Sequence, residues 1–262
     1  MNGTEINASI ITIGDELLIG QTIDTNSAFI GVALNKIGIW VKRRVAIGDV
    51  KEDILQTLKE ESKKSKLIII TGGLGPTADD ITKPALCEYF DAALVENDAV
   101  LKNVTAIFKK LNKTVTNLNK KQAEVPDNCQ VLPNSRGTAP GMWFEKEGVV
   151  YISLPGVPHE MEGLMQNEVL HRLGKHFATP FILHKNVLTA GKGESEVAEI
   201  LADFERALPD NIKLAYLPSY GMVKLRLTGK DSQKERLEAD MEAQFNALKK
   251  TVKTWLVTDE DR

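Results

Sequence analysis

Leu67-Ile68-Ile69-Ile70-Thr71-Gly72-Gly73-Leu74-Gly75-Pro76-Thr77-Ala78-Asp79-Asp80-Ile81-Thr82 is the stretch on which the reading of this sequence turns. Its first residues are a continuous, mostly β-branched apolar run, the pattern of a central parallel strand covered on both faces. Glycines follow at once, then two adjacent carboxylates, then a helix start, with Thr82 suited to an N-cap and Pro84 to the first turn. Ligands of open α/β sheets sit outside the carboxyl ends of the strands. Glycines at such an end let backbone approach a ligand and offer N–H groups to an anion. Asp79 and Asp80 beside that backbone would repel a phosphate unless a cation lies between them, and Mg²⁺ is the usual ion. A tight turn leading into a helix whose first turn favours acids would place the same residues there.

On the N-terminal side, 9–14 and 39–47 read as strands and 29–37 and 52–64 as helices, with Gly38 at a C-terminal cap. On the C-terminal side, helices are predicted at 99–111 and 117–123, strands at 130–132, 141–145 and 149–154, and a long helix from Pro158 to 176. This βαβα series predicts an α/β domain over 1–178, an open and mostly parallel sheet with helices on both faces. Near Thr179-Pro180 the order becomes strand 182–189, helix 194–208, strands 213–217 and 223–228, helix 233–253. That βαββα series predicts a second, smaller α+β domain over 179–258, and the acidic end 259–262 reads as a linker remnant.

With 262 residues, 42% hydrophobic and 26% charged, the chain has a globular composition that argues against disorder. A net charge of −3 sets a nucleic-acid partner at a disadvantage. Two cysteines are too few for a disulfide scaffold, which points to a reducing compartment. Neither a signal peptide nor a membrane-spanning run is legible, so a cytoplasmic protein with no membrane partner is expected.

Three further segments carry candidate chemistry. Gly14-Asp15-Glu16-Leu17-Leu18 with Asp24-Thr25-Asn26 leaves a strand end rich in carboxylates, although Asp24 or Thr25 also suits a helix cap. Asn134-Ser135-Arg136-Gly137-Thr138-Ala139-Pro140-Gly141 suits a loop close to a polar ligand, with Arg136 free to bridge phosphate, or a plain Pro-Gly turn. Leu154-Pro155-Gly156-Val157-Pro158-His159-Glu160-Met161 is strand, turn and helix start, where Glu160 serves as metal ligand, general base or first-turn acid. Gly73-x-Gly75-x-x-Ala78 fits the dinucleotide fingerprint but follows the third strand, and the acidic pair occupies the place of the pyrophosphate. No Walker A loop, zincin helix or Gly-x-Ser-x-Gly elbow occurs.

In this order the segments resemble the CinA family (competence/damage-inducible proteins), in its N-terminal part, which is similar to the MoaB/MogA molybdopterin-binding fold. The resemblance extends through Gly193-Glu194-Ser195 and Tyr216-x-Pro218 to Arg226. It implies a three-layer, mostly parallel sheet and a metal-dependent ADP-ribose pyrophosphatase acting as a homodimer, without the C-terminal deamidase domain that many members add. The implied metal ligands are Asp15, Glu16, Asp79 and Asp80, and the implied catalytic residues Asp80, Asp79, Glu160 and Lys83. Lys83 or Arg136 would stabilise developing charge together with the turn N–H groups. Substrate contacts would come from Gly14, Asp24, Asn26, Thr71, Gly72, Gly73, Gly75, Thr77, Arg136, Gly137, Thr138, Pro140, Gly141, Pro155 and Gly156. A molybdopterin-binding protein and a non-enzymatic nucleotide-sensing module are the competing functions, since fold alone does not fix function.

Overall fold

The computed structural model describes residues 6–77 and 80–259, which fall into two compact units, one of 6–35 with 39–178 and one of 36–38 with 179–259. The larger unit runs β1 (Asn7–Ile13), α1 (Asp15–Leu18), α2 (Thr25–Lys36), β2 (Trp40–Ile47), α3 (Lys51–Glu61), β3 (Leu67–Thr71) and α4 (Thr82–Phe90). It continues through β4 (Leu94–Glu96), α5 (Asp98–Lys110), α6 (Asn117–Lys120), β5 (Glu124–Pro126), β6 (Gln130–Leu132), β7 (Gly141–Lys146) and β8 (Val149–Leu154). α7 (Pro158–Leu164) and α8 (Leu170–His176) end it.

Its main sheet has the order β2-β1-β3-β8-β7-β6. β2, β1, β3 and β8 run parallel, β7 pairs antiparallel with β8, and β6 pairs antiparallel with β7. Every residue of β3 is buried, as its unbroken apolar run requires of a strand covered on both faces. Ile68 and Ile70 pack in a core with Ile54 and Leu58 of α3, Leu86 and Phe90 of α4, and Phe144 and Tyr151 of the neighbouring strands. Leu67 and Ile69 alternate to the opposite face and are equally buried. The register sets Thr12 beside Thr71 and Thr71 beside Leu154, so the carboxyl ends of β1, β3 and β8 lie side by side.

Several local expectations are corrected. The helix expected over 158–176 is interrupted by a π turn, Met165–Val169, between α7 and α8. The helix expected over 117–123 is one α turn followed by a tighter turn at Lys121–Ala123. Thr82 is not the cap of α4 but its first residue, and its buried hydroxyl donates to Gly72 O at 3.1 Å, pinning the glycine turn.

The smaller unit comprises β9 (Phe181–Ala190), α9 (Glu194–Arg206), β10 (Ile212–Ser219), β11 (Met222–Asp231), α10 (Lys234–Thr251) and β12 (Leu256–Thr258). The order β10-β11-β9-β12 is antiparallel throughout. Val197 and Leu201 of α9 and Leu237, Met241 and Phe245 of α10 form one core with Val187, Val223, Leu225 and Leu227 of the sheet. β12 extends the expected βαββα series by a strand. Asp259, read from sequence as linker, accepts a bond from Lys249 Nζ at 3.0 Å, and 260–262 lie outside the described residues. Among the described residues no helix is long and apolar enough to cross a membrane.

Candidate functional site

The loops leaving β1, β3 and β8 are strapped together by side chains. The Thr71 hydroxyl donates to Pro155 O at 2.8 Å. Asn26 Nδ2 donates to that same hydroxyl at 3.0 Å and to Gly156 O at 2.9 Å, and Gly72 N donates to Leu154 O at 3.2 Å. The glycines are needed for the approach. A Cβ on Gly72, whose φ is 116°, would lie 2.1 Å from Ile13 O, and one on Gly156 would lie 3.3 Å from Gly72 Cα. Asn26, Thr71, Gly72, Pro155 and Gly156 are thereby brought together from positions up to 130 residues apart. A cavity of about 100 Å³ opens beside them, lined also by Glu16, Thr22 and Asp24.

The turn between β3 and α4 is organised by Asp80. Its Oδ1 accepts from Gly75 N at 2.7 Å, and its Oδ2 accepts from Thr77 N at 3.0 Å and from the Thr77 hydroxyl. A Cβ on Gly75 would fall 2.3 Å from Asp80 Oδ2, so Gly75 is small because the carboxylate lies against it. Gly73 adopts φ 62°, and its O accepts from Thr82 N at 3.2 Å. A carboxylate has about four lone-pair sites, so Asp80 retains some acceptor capacity after these bonds. Asp79, its expected partner, lies outside the described residues.

Asp15 opens α1, directly after β1. It pairs reciprocally with a residue the sequence reading passed over: Asp15 N donates to Asp49 Oδ2 at 3.1 Å, and Asp49 N to Asp15 Oδ1 at 3.3 Å. Asp49 Oδ1 lies 3.6 Å from where a Gly73 Cβ would stand, which sets it against the glycine turn. The signal was present: Gly48-Asp49 follows directly on β2, a parallel strand whose carboxyl end shares this edge. The Glu16 carboxylate lies against Gly14, where a Cβ would be 2.5 Å from Oε1. Among the described residues no three His, Cys, Asp or Glu side chains gather as a ready-made metal site.

Glu160 meets the fourth segment. Asn134 Nδ2 donates to Glu160 Oε2 at 2.6 Å and to Ala139 O at 2.8 Å. A Cβ on Gly137 would stand 2.0 Å from Glu160 Cδ. Asn103, also missed from sequence, fixes the loop by donating to Asn134 O and Gly137 O. Burial pushes the Glu160 carboxyl pKa above its ordinary value, and the Asn134 bond only partly opposes this. Thr138 and Pro140 border a different cavity, of about 310 Å³, along α5, and Gly141 packs on Leu132 at the start of β7.

The two expected cations have other engagements. Arg136 lies along α7, donating to His159 O at 3.2 Å and to Gln166 Oε1 at 3.2 Å, over the space that Gly163 leaves open. Lys83 is 6% exposed, and its Nζ donates to Gln122 O at 3.1 Å. Burial lowers its pKa to about 8, against the attraction of Glu124 and Asp80.

Residues 9–175 match the family model described as "Probable molybdopterin binding domain", and 184–257 match the "Damage-inducible protein CinA KH domain". The chain is 49% identical over 253 residues to a CinA-like protein of Cytophaga hutchinsonii, covering 97% of this chain and 60% of that protein. It is 49% identical over 257 residues to one of Flavobacterium psychrophilum, covering 98% and 62%. The chain thus spans about three fifths of the length of these curated relatives. It is also similar to the crystal structure of CinA, a protein of unknown function, from Thermoplasma acidophilum, with TM-score 0.57 and 35% identity over 66% of this chain and 98% of that one.

Proposed function

The chain belongs to the CinA family, with a molybdopterin-binding type of α/β domain, and from that premise we propose that its larger unit hydrolyses the pyrophosphate bond of ADP-ribose to AMP and ribose 5-phosphate. The observation that supports this reading best is the glycine turn at 72–77 with the carboxylate of Asp80. Its N–H groups at Gly75 and Thr77 already cradle an anion, the Asp80 carboxylate, at the strand ends where ligands of open sheets bind.

A divalent cation fits this edge only in part. The donors are hard oxygens, but no protein cage is preformed among the described residues. That suits Mg²⁺ held by one or two carboxylates, Asp80 first among them, with substrate phosphate oxygens and water completing the set. Bound there, it would neutralise phosphate charge. The chain's own residues do the rest. The glycine turn lets backbone approach the pyrophosphate closely, and the Asn26–Thr71–Gly156 straps hold the loops at fixed spacing. Glu160, with its raised pKa, takes the proton of the attacking water. Atoms balance: one water adds across the P–O–P linkage and each product keeps one phosphate.

A molybdopterin-binding role is the second reading, favoured by the description of the matching family model. The test is AMP release from ADP-ribose by the purified chain, with Mg²⁺, with other divalent ions and with chelator. Metal-dependent release supports the hydrolase. Tight molybdopterin binding with no release under any ion supports the second reading and sinks the first.

A further inference from the structure

The carboxylate of Glu160 is held by more than its helix requires. An acid in the first turn of a helix is stabilised there by the dipole and needs no dedicated partner. Glu160 has one. Asn134, 4% exposed, donates one Nδ2 hydrogen to Glu160 Oε2 at 2.6 Å and the other to Ala139 O at 2.8 Å, and its Oδ1 accepts from Arg136 N at 2.9 Å. Turning the amide over would set its oxygen against Ala139 O and its NH₂ group against the Arg136 N–H, so its orientation is determined. The bonds to Ala139 and Arg136 close the loop on their own. The bond to Glu160 adds nothing to that closure, and it is the shortest of the three.

Asn103 supports this amide from behind. Its two Nδ2 hydrogens go to Asn134 O at 3.0 Å and to Gly137 O at 3.1 Å, so one side chain of α5 suspends the segment that carries Asn134. α5 is itself anchored, with Val100 and Val104 in a core with Ala123. On the other side Gly137 leaves bare backbone where the carboxylate lies, since a Cβ there would stand 2.0 Å from Glu160 Cδ. The carboxylate is thereby bracketed between the Asn134 amide and the Gly137 backbone, and a side chain with several staggered choices is confined to one. General-base work is sensitive to such confinement, because a misplacement of about 1 Å costs about 10²-fold in rate.

We propose that Asn134 is a positioning residue for the Glu160 carboxylate, aiming it at the attacking water, and that Asn103 acts one step further back by holding the Asn134 loop to α5. Neither amide needs to touch the substrate. The inference rests on the hydrolase reading above, in which Glu160 takes the proton of water, and it names the residues that make that side chain effective. It also sets Asn134 apart from its neighbours Arg136, Gly137 and Thr138, whose expected substrate contacts would be read in KM.

Steady-state hydrolysis of ADP-ribose by the purified chain with Mg²⁺ tests this in a double-mutant cycle of Asn134→Ala with Glu160→Gln, repeated with Asn103→Ala in place of Asn134→Ala. Glu160→Gln alone lowers kcat about 10²- to 10⁴-fold, the range for a general base. Asn134→Ala lowers kcat about 10- to 100-fold and shifts KM by less than about threefold, and Asn103→Ala does the same more weakly. In the Glu160→Gln background neither substitution lowers kcat further, because there is no base left to aim. Crystal structures of the two alanine variants show the Glu160 carboxylate away from Gly137. Losses that multiply in the double variants, as a general weakening of the chain would give, overturn the proposal. So does a rise in KM with kcat unchanged, which makes Asn134 a substrate contact. If Asn134→Ala does not fold, the Asn103→Ala cycle decides alone. Glu160→Gln at the wild-type rate overturns the positioning role and leaves the hydrolase standing. A wild-type chain that releases no AMP with any divalent ion overturns the hydrolase reading and the positioning role with it.

Discussion

Replacing Asp80 by Asn separates a structural from a catalytic use of one carboxylate. Asn keeps the size of the side chain but converts one acceptor oxygen into an NH₂ group. That group must face either Gly75 N or the N–H and hydroxyl of Thr77, all of which now donate to Asp80. At least one backbone bond is therefore lost whichever way the amide turns. Hydrogen bonds to a charged acceptor are worth about 1.5–3 kcal/mol each, but this carboxylate is only half-buried and water replaces part of the loss. About 2–3 kcal/mol for the set is the working figure, a 30- to 150-fold rise in local opening of the turn. The cost is local, because the core contacts of Leu74 and Thr82 are untouched, so global unfolding free energy falls by no more than that amount. Amide hydrogen exchange read by NMR measures it directly: Gly75 and Thr77 lose protection while β3 amides keep theirs. ADP-ribose hydrolysis measured alongside falls about a hundred- to a thousandfold if the carboxylate also stabilises the transition state. Unchanged protection at Gly75 and Thr77 would refute the organising role. Lost protection with intact hydrolysis would refute the catalytic one.

Gly72→Ala is expected to destabilise by more than about 2 kcal/mol, because strain at a positive φ adds to a clash with Ile13 O, whereas Gly148→Ala, with positive φ and open space, costs about 1 kcal/mol; equal effects in urea melts would contradict this. Lys83→Met is expected to stabilise the chain near pH 7. The folded pKa of about 8 lies below the unfolded 10.5, so the wild type gains stability as pH rises between those values, up to about 3 kcal/mol, and the variant loses that slope. Flat wild-type stability across that window removes the argument. Glu61, 1% exposed, has its carboxyl pKa pushed up by burial but lowered on balance by bonds from Ser9 and Lys64 and the charge of Arg43. Its contribution is therefore full above about pH 4.5 and is lost as pH falls through the folded value, and Glu61→Gln, at a cost of about 1 kcal/mol, flattens that acid limb of the stability curve.

The elements legible in the sequence are those with redundant signals. β3 and β8 are unbroken apolar runs, buried at every position, and each stops at a Gly or Pro turn. β4, β5 and β12, three residues each, carry no periodicity and are not legible, although β6, equally short, is. The π turn at Met165–Val169 has an ordinary helical sequence, since one inserted residue shifts a hydrophobic stripe by less than the stripe's own width. Pairings such as Asp15 with Asp49 depend on β2 lying beside β1, a fact of topology rather than of local pattern.

The two cations show how packing competes with a role at a ligand. Lys83 is expected from the resemblance to stabilise charge on a phosphate, and Leu86 and Phe90 stand at helical spacing from it on the inner face of α4. That spacing carries the lysine stem into the core and leaves its ammonium on a backbone carbonyl. Arg136 follows the same logic: Gly163 opens room on α7, and the guanidinium fills it. A phosphate at the sheet edge would therefore compete with Gln122 O for Lys83 and with His159 O and Gln166 Oε1 for Arg136.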